Sequence, residues 1–178
     1  MVERVSVIVG AGPVGLAAAL AVRATGRPVT VVEAGEANRV RPGSRAIFLH
    51  KVTLEVLERI RAGLGAELAR HGLAWRTRRT MYRGREVYHR TYPPALPGAL
   101  PAATSLPQVV TERVLLEAAI DAGVEFIWST PVTGVTAHER GVVIDTEPGA
   151  PITARYVIGA DGARSPVRES AGLRLDGP

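Results

Sequence analysis

The chain has 178 residues, a net charge of +5 and no cysteine. That length supports one sizeable core in a single domain, and a hydrophobic content of 46% describes a globular chain, not a disordered one. Without cysteine there is no disulfide, thiolate metal site, Cys-x-x-Cys redox pair or cysteinyl link to a prosthetic group, and His50, His71, His89 and His138 lack metal-ligand spacing.

The first element is an apolar β-branched strand, Val5–Val9, which runs into Gly10-x-Gly12-x-x-Gly15 and then a helical run, Leu16–Ala24. Strand, glycine turn and helix start in direct succession are how proteins hold a dinucleotide pyrophosphate. Gly10 allows the turn, Gly12 lets the backbone approach the phosphates, and Gly15 lets the helix pack closely on the strand. The helix start offers amides and a partial positive charge. Pro13 has no N–H to give; Val14 and its neighbours do. Gly26 caps the helix, and Val29–Val32 is a second strand ending at Glu33, followed by Ala34. A carboxylate there accepts the two hydrogens of an adenosine ribose diol and repels a 2′-phosphate. With no arginine directly after Glu33, FAD or NAD is favoured over NADP. A glycine turn alone is a weak signal, and an ordinary βαβ turn with a solvated Glu33 is the competing reading; strand, helix and acid together favour the dinucleotide.

Ala34–Ser44 reads as a loop. Thr53 is placed as the N-cap of a helix with Leu54, Leu57, Leu64 and Leu68 at helical spacing, broken near Gly63 and Gly65. Strands follow around Thr80–Arg83 and Glu86–His89, with a turn at Gly84-Arg85. Pro93–Pro107, with five prolines, reads as a non-regular crossing. Thr111–Ala122 is a helix capped by Gly123, and Val124–Trp128 is the next parallel strand. Val132–His138 and Val142–Thr146 form a hairpin around Glu139-Arg140-Gly141. Arg155–Ile158 is a last strand, entering Gly159-Ala-Asp-Gly-Ala-Arg-Ser165, where Ser165 and Pro166 open a helix.

The arginines of Arg76–Arg90, interleaved with Trp75, Tyr82 and Tyr88, suggest a nucleic-acid surface at first sight. Lys51 is the only lysine, however, so the excess of arginine matches a high-GC background. No nucleic-acid motif accompanies it, and no nucleic-acid partner is expected. The uncharged run Val5–Val22 is split by Gly10, Gly12, Pro13 and Gly15 into pieces too short to span a bilayer. It also lacks a basic leader. The expectation is a soluble cytoplasmic protein without membrane contact.

Together, Gly10–Gly15, Glu33 and Gly159–Ser165 resemble the flavoprotein aromatic hydroxylases, the class A FAD monooxygenases. Ser44–Ile60 is similar to the branch of 3-(3-hydroxyphenyl)propionate and phenol hydroxylases. The resemblance implies an α/β fold: a Rossmann-like FAD-binding domain over residues 1–178, with a parallel sheet, a β-hairpin crossover and a partial substrate-side insertion around 74–107. It places Asp161 and Gly162 at the FAD pyrophosphate and ribityl region, and Arg45 along the cofactor. Gln108, with Glu112 four residues on, would touch the flavin's ribityl or phosphate. An exposed loop arginine and a helix-capping glutamine are the plainer alternatives for Arg45 and Gln108.

In that family NAD(P)H reduces FAD, and the reduced flavin takes up O₂ and passes one oxygen atom to a small aromatic substrate. Members run to about twice this length or more. The resemblance therefore leaves the substrate domain largely missing, the chain incomplete for catalysis by itself, and its catalytic residues unassigned. An exposed sheet edge would then favour self-association or a partner chain. A non-catalytic flavin-binding module is the first alternative. A small NAD-dependent dehydrogenase is the second, disfavoured because no Tyr-x-x-x-Lys pair is present.

Overall fold

The computed structural model describes residues 4–39, 48–174 and 177. In chain order the elements are β1 (Arg4–Val9), α1 (Pro13–Ala24), β2 (Thr30–Val32), β3 (Phe48–His50), α2 (Lys51–Ile60), α3 (Leu64–His71), β4 (Leu73–Ala74), β5 (Thr77–Tyr82), β6 (Arg85–Thr91) and β7 (Ala103–Ser105). They continue with α4 (Gln108–Asp121), β8 (Glu125–Ile127), β9 (Val132–His138), β10 (Gly141–Thr146), β11 (Ile152–Gly159) and α5 (Pro166–Ser170). Two compact units arise: Met1–Pro42 with Leu115–Pro178, and Gly43–Val114.

The first unit is built on a six-stranded sheet in the order β8-β2-β1-β11-β10-β9. Strands β8, β2, β1 and β11 run parallel, and β10 and β9 add an antiparallel meander. The short β-branched runs suit parallel strands covered on both faces. Val7, Val32, Ile144 and Ala154 form a closed cluster on one face, joined by Ile127, Val135 and Val157. Each fully buried Val or Ile there contributes about 1.5–3 kcal/mol. Helix α1 packs on β1 and β2 through Leu16, Ala19 and Leu20, which are buried. Pro13 takes the first helical position, where its missing N–H costs nothing. At the other end Gly26 adopts φ +78° and donates its N–H to the Arg23 carbonyl at 2.8 Å, a left-handed stop.

At the amino ends of the parallel strands, Arg4 donates from Nη1 to Thr30 Oγ1 and to Glu125 Oε2, both at 2.6 Å. One guanidinium thus clamps β1, β2 and the edge strand β8. The predicted hairpin forms as β9–β10. Gly141, at φ +147°, is required there because a β-carbon would lie 2.5 Å from the Ala154 carbonyl oxygen.

In the second unit, β3, β7 and β4 form a small sheet and β5–β6 a separate hairpin. Leu54 and Leu57 of α2 and Leu64 and Leu68 of α3 are buried, as their spacing predicts. Gly63 breaks the run in a left-handed conformation. Gly65 does not break anything: it lies inside α3, where a β-carbon would run into the Leu54 carbonyl. Glu58 closes the join, its carboxylate accepting from the amides of Gly63 at 2.6 Å and Ala66 at 3.1 Å.

Three further expectations are corrected in this unit. Thr53 lies inside α2; the helix starts at Lys51 after His50, where the Lys51 amide donates to the distant Ala102 carbonyl at 3.0 Å. The hairpin turns at Arg83-Gly84, not Gly84-Arg85, both residues having positive φ (48° and 77°), the geometry that matches strand twist in a two-residue turn. The proline-rich crossing contains a strand, β7, held between β3 and β4.

Candidate dinucleotide site

Val9, the last residue of β1, pairs with Val32 on β2 and with Gly159 on β11. Because all three strands are parallel, the segments that follow them emerge side by side at the carboxyl ends of the strands. These are the glycine turn from Gly10, the acid Glu33, and the turn through Asp161 and Gly162. Ligands of open α/β sheets bind at such carboxyl ends.

The turns are interlocked. The Gly10 amide donates to the Val32 carbonyl at 2.8 Å, and the Ala160 amide donates to the Val9 carbonyl at 2.8 Å. Gly10 has φ +104°, and a β-carbon on it would lie 2.5 Å from the Ala160 carbonyl oxygen; a β-carbon on Gly15 would collide with the Gly10 carbonyl. Two of the three fingerprint glycines are thus required by the fold itself. The third, Gly12, is the N-cap, and its carbonyl accepts from Leu16 N at 2.9 Å. The amides of Val14 and Gly15 fall in the first turn, ahead of any intrahelical acceptor. The Val14 side chain is exposed.

Glu33 is buried at 8% exposure, which excludes the solvated alternative. Its Oε2 accepts from Ala11 N at 2.6 Å and its Oε1 from Gly35 N at 2.9 Å. Arg39 Nη1 also donates to Oε1 and forms an ion pair with it. Burial pushes the carboxyl up, but the donations from Arg39, Gly35 and Ala11 outweigh burial and hold it below the ordinary carboxylate value. Ala34 next to it is exposed. Arg39 is the residue that sequence reasoning missed. No arginine directly follows Glu33, but the loop returns one six residues later, and a gap of six carries no periodic signal.

Asp161 turns inward. Its Oδ1 accepts from Ser165 Oγ at 2.5 Å and its Oδ2 from Val167 N at 3.2 Å, while Ser165 Oγ accepts from Arg168 N at 2.9 Å. The carboxylate therefore ties its own turn to the start of α5. Gly162 has φ +87° with open space where a β-carbon would stand. Gln108 belongs to the second unit, at the start of α4, where its Nε2 donates to Glu112 Oε1 at 2.7 Å. Arg45 lies outside the described residues. Tyr82 and Tyr88, on the β5–β6 hairpin, are exposed.

A profile of the FAD binding domain family matches residues 4–178. The chain belongs to the FAD binding domain family. The FAD binding domain here is 34% identical to a rifampicin monooxygenase of Streptomyces venezuelae, over 96% of this chain and 34% of that protein. It is 31% identical to a 3-(3-hydroxy-phenyl)propionate/3-hydroxycinnamic acid hydroxylase of Mycobacterium avium, over 96% of the chain and 31% of the relative. Among solved structures, the p-nitrophenol 4-monooxygenase of Pseudomonas putida superposes with a TM-score of 0.86 at 27% identity, covering 99% of this chain and 45% of that one. The chain thus spans about a third of the length of these curated relatives. The residues present suit FAD: a glycine turn whose Gly10 and Gly15 leave no room for a β-carbon, an acid at the end of β2 held below the ordinary carboxylate value, and an open left-handed turn after β11. No helix among the described residues is long and apolar enough to cross a membrane.

Proposed function

We propose that this chain is the FAD-binding portion of an NAD(P)H-dependent flavin monooxygenase that hydroxylates a phenolic or related small aromatic compound. The observation that carries this reading is the convergence of Gly10–Gly15, Glu33 and Asp161-Gly162 at the carboxyl ends of three adjacent parallel strands. The activities of the relatives, a 3-(3-hydroxy-phenyl)propionate/3-hydroxycinnamic acid hydroxylase and a p-nitrophenol 4-monooxygenase, support the substrate class. When bound, FAD would supply the redox chemistry, in which NAD(P)H provides two electrons, one atom of O₂ enters the ring and the other leaves as water.

The chain's own residues hold it. The amides of Val14 and Gly15 face the pyrophosphate, with Gly12 leaving room and Pro13 setting the helix start. Glu33 takes the adenosine ribose, with Ala34 flanking it. The main chain at Asp161 and Gly162 lies along the ribityl side; Arg45 and Gln108 are cofactor contacts on the family resemblance alone. Groups that deprotonate a phenol and exclude water around the flavin are assigned to further structure. Such structure would dock on the outer strands of the sheet among the described residues, β8 and β9, where an unpaired edge would otherwise favour self-association. The cytoplasm is the compartment this reading implies.

The test is an absorbance spectrum of the purified protein before and after addition of FAD and desalting, followed by NAD(P)H oxidation with and without phenols. Retained flavin bands and phenol-stimulated oxidation are expected of a protein that includes the remaining domain. This chain alone is expected to retain flavin weakly and to show no stimulation. Flavin that never binds overturns the reading; tight flavin without phenol stimulation in the longer protein favours a non-catalytic flavin module.

A further inference from the structure

We propose that Arg39 competes with the dinucleotide's ribose for the Glu33 carboxylate, and so sets the affinity and selectivity of the adenosine subsite. The inference rests on the FAD reading above and concerns a residue outside the glycine fingerprint. A ribose diol presents two donors, and a carboxylate receives them one on each oxygen. On Glu33 the places are already contested: Oε2 accepts from Ala11 N at 2.6 Å, and Oε1 accepts from Gly35 N at 2.9 Å and from Arg39. Of these three donors, two are main-chain amides fixed by the loops on either side. Only the guanidinium can leave by rotating a side chain.

The loop is shaped around that arginine. A β-carbon on Gly35 would collide with Arg39 Nη1, so the guanidinium lies where any other residue at 35 would place its side chain. Arg39 is about a quarter exposed on its side-chain surface, and its N–H donates to the Glu36 carbonyl at 3.3 Å in an exposed turn. The arginine is therefore held by one strong contact on a surface loop, a geometry from which it can be exchanged. Its ion pair with Glu33 is the contact that an incoming ribose must replace.

The experiment compares the chain with Arg39→Gln and Arg39→Lys, titrating FAD by the quenching of flavin fluorescence. FMN, which lacks the adenosine ribose, is the control probe, and ADP-ribose is the competitor. Arg39→Gln is expected to bind FAD and ADP-ribose about three- to tenfold more tightly, the range that losing a partly exposed ion pair allows. FMN affinity should not change. Arg39→Lys, which keeps the charge but not the fork, should fall between. Added salt should narrow the gap by weakening the pair in the unaltered chain. Circular dichroism melts establish that each variant is folded. FAD bound by Arg39→Gln no more tightly, or more weakly, than by the unaltered chain overturns the competition, as does an equal gain for FMN. Absence of FAD binding by all three chains overturns the cofactor reading itself, so the two failures are distinct.

Discussion

A β-carbon on Gly10 would lie 2.5 Å from the carbonyl oxygen of Ala160. The turn after the first strand and the turn after the last are thus packed backbone to backbone, with no side chain between them. Gly10 also needs φ +104°, which an L-residue adopts only under strain. Gly10→Ala should therefore cost about 3 kcal/mol or more, at the upper end of single substitutions, and should abolish FAD retention. Gly26→Ala is the comparison: it also has positive φ but no neighbour within 4 Å, so only the conformational cost, about 1 kcal/mol, applies. Thermal melts of the two variants check the difference.

Glu33→Gln leaves the shape of the subsite but exchanges an ionised acceptor for a neutral amide. Hydrogen bonds to charged groups are worth roughly 1.5–3 kcal/mol, so FAD affinity should fall at least tenfold. Because the folded-state value of Glu33 lies below the ordinary 4.5, the carboxylate remains ionised throughout the neutral range. Affinity should then be flat with pH near neutrality and fall only as pH drops through that depressed value. A titration series from pH 7 downward tests this.

Glu58 and Glu125 give the fold an acid limit. The amides of Gly63 and Ala66 hold Glu58 below the ordinary 4.5, and Arg4 with Thr30 does the same for Glu125. A depressed folded value means that the stabilisation is present above about pH 4.5 and is lost as pH falls through the folded pKa. Melting temperature should decline in that acid window. Glu58→Gln and Glu125→Gln should each be less stable at neutral pH and show a shallower decline. An unchanged pH profile in both variants would refute the assignment.

Asp161→Asn should loosen the last turn. The aspartate accepts from Ser165 Oγ and Val167 N, and the serine in turn caps α5. Loss of a helix cap typically costs about 1 kcal/mol, so Ser165→Ala should lower stability by that amount. If Asp161 acts through the turn's main chain, both substitutions should weaken FAD binding in parallel. A large loss confined to Asp161→Asn would instead show a direct contact from the carboxylate.

How much of this is legible in the sequence depends on the range of the forces involved. The glycine fingerprint, the strands around it, Glu33 and the Ser165-Pro166 helix start obey rules that act within a few residues, and they appear where their spacing predicts. The start of α2 differs because the Lys51 amide finds Ala102 about fifty residues away, a partner no local pattern announces. The β5–β6 turn moved by one residue because Arg83 accepts a positive φ where propensity favours glycine. The Arg39–Glu33 pair depends on the path of a loop, and the inward turn of Asp161 on its hydrogen bonds to Ser165 and Val167 at the start of α5. Neither leaves a periodic trace.

The pairing of β1 with β11 has a consequence for how the protein is made. Val9 meets Gly159 only after the long stretch of chain between them has been synthesised, and contacts of such separation form slowly. A nascent chain carrying the glycine fingerprint alone has half a cradle: the wall at Ala160 leaves the ribosome much later. Nucleotide capture therefore reports completion of the sheet, and free FAD shifts the equilibrium towards chains that have closed it.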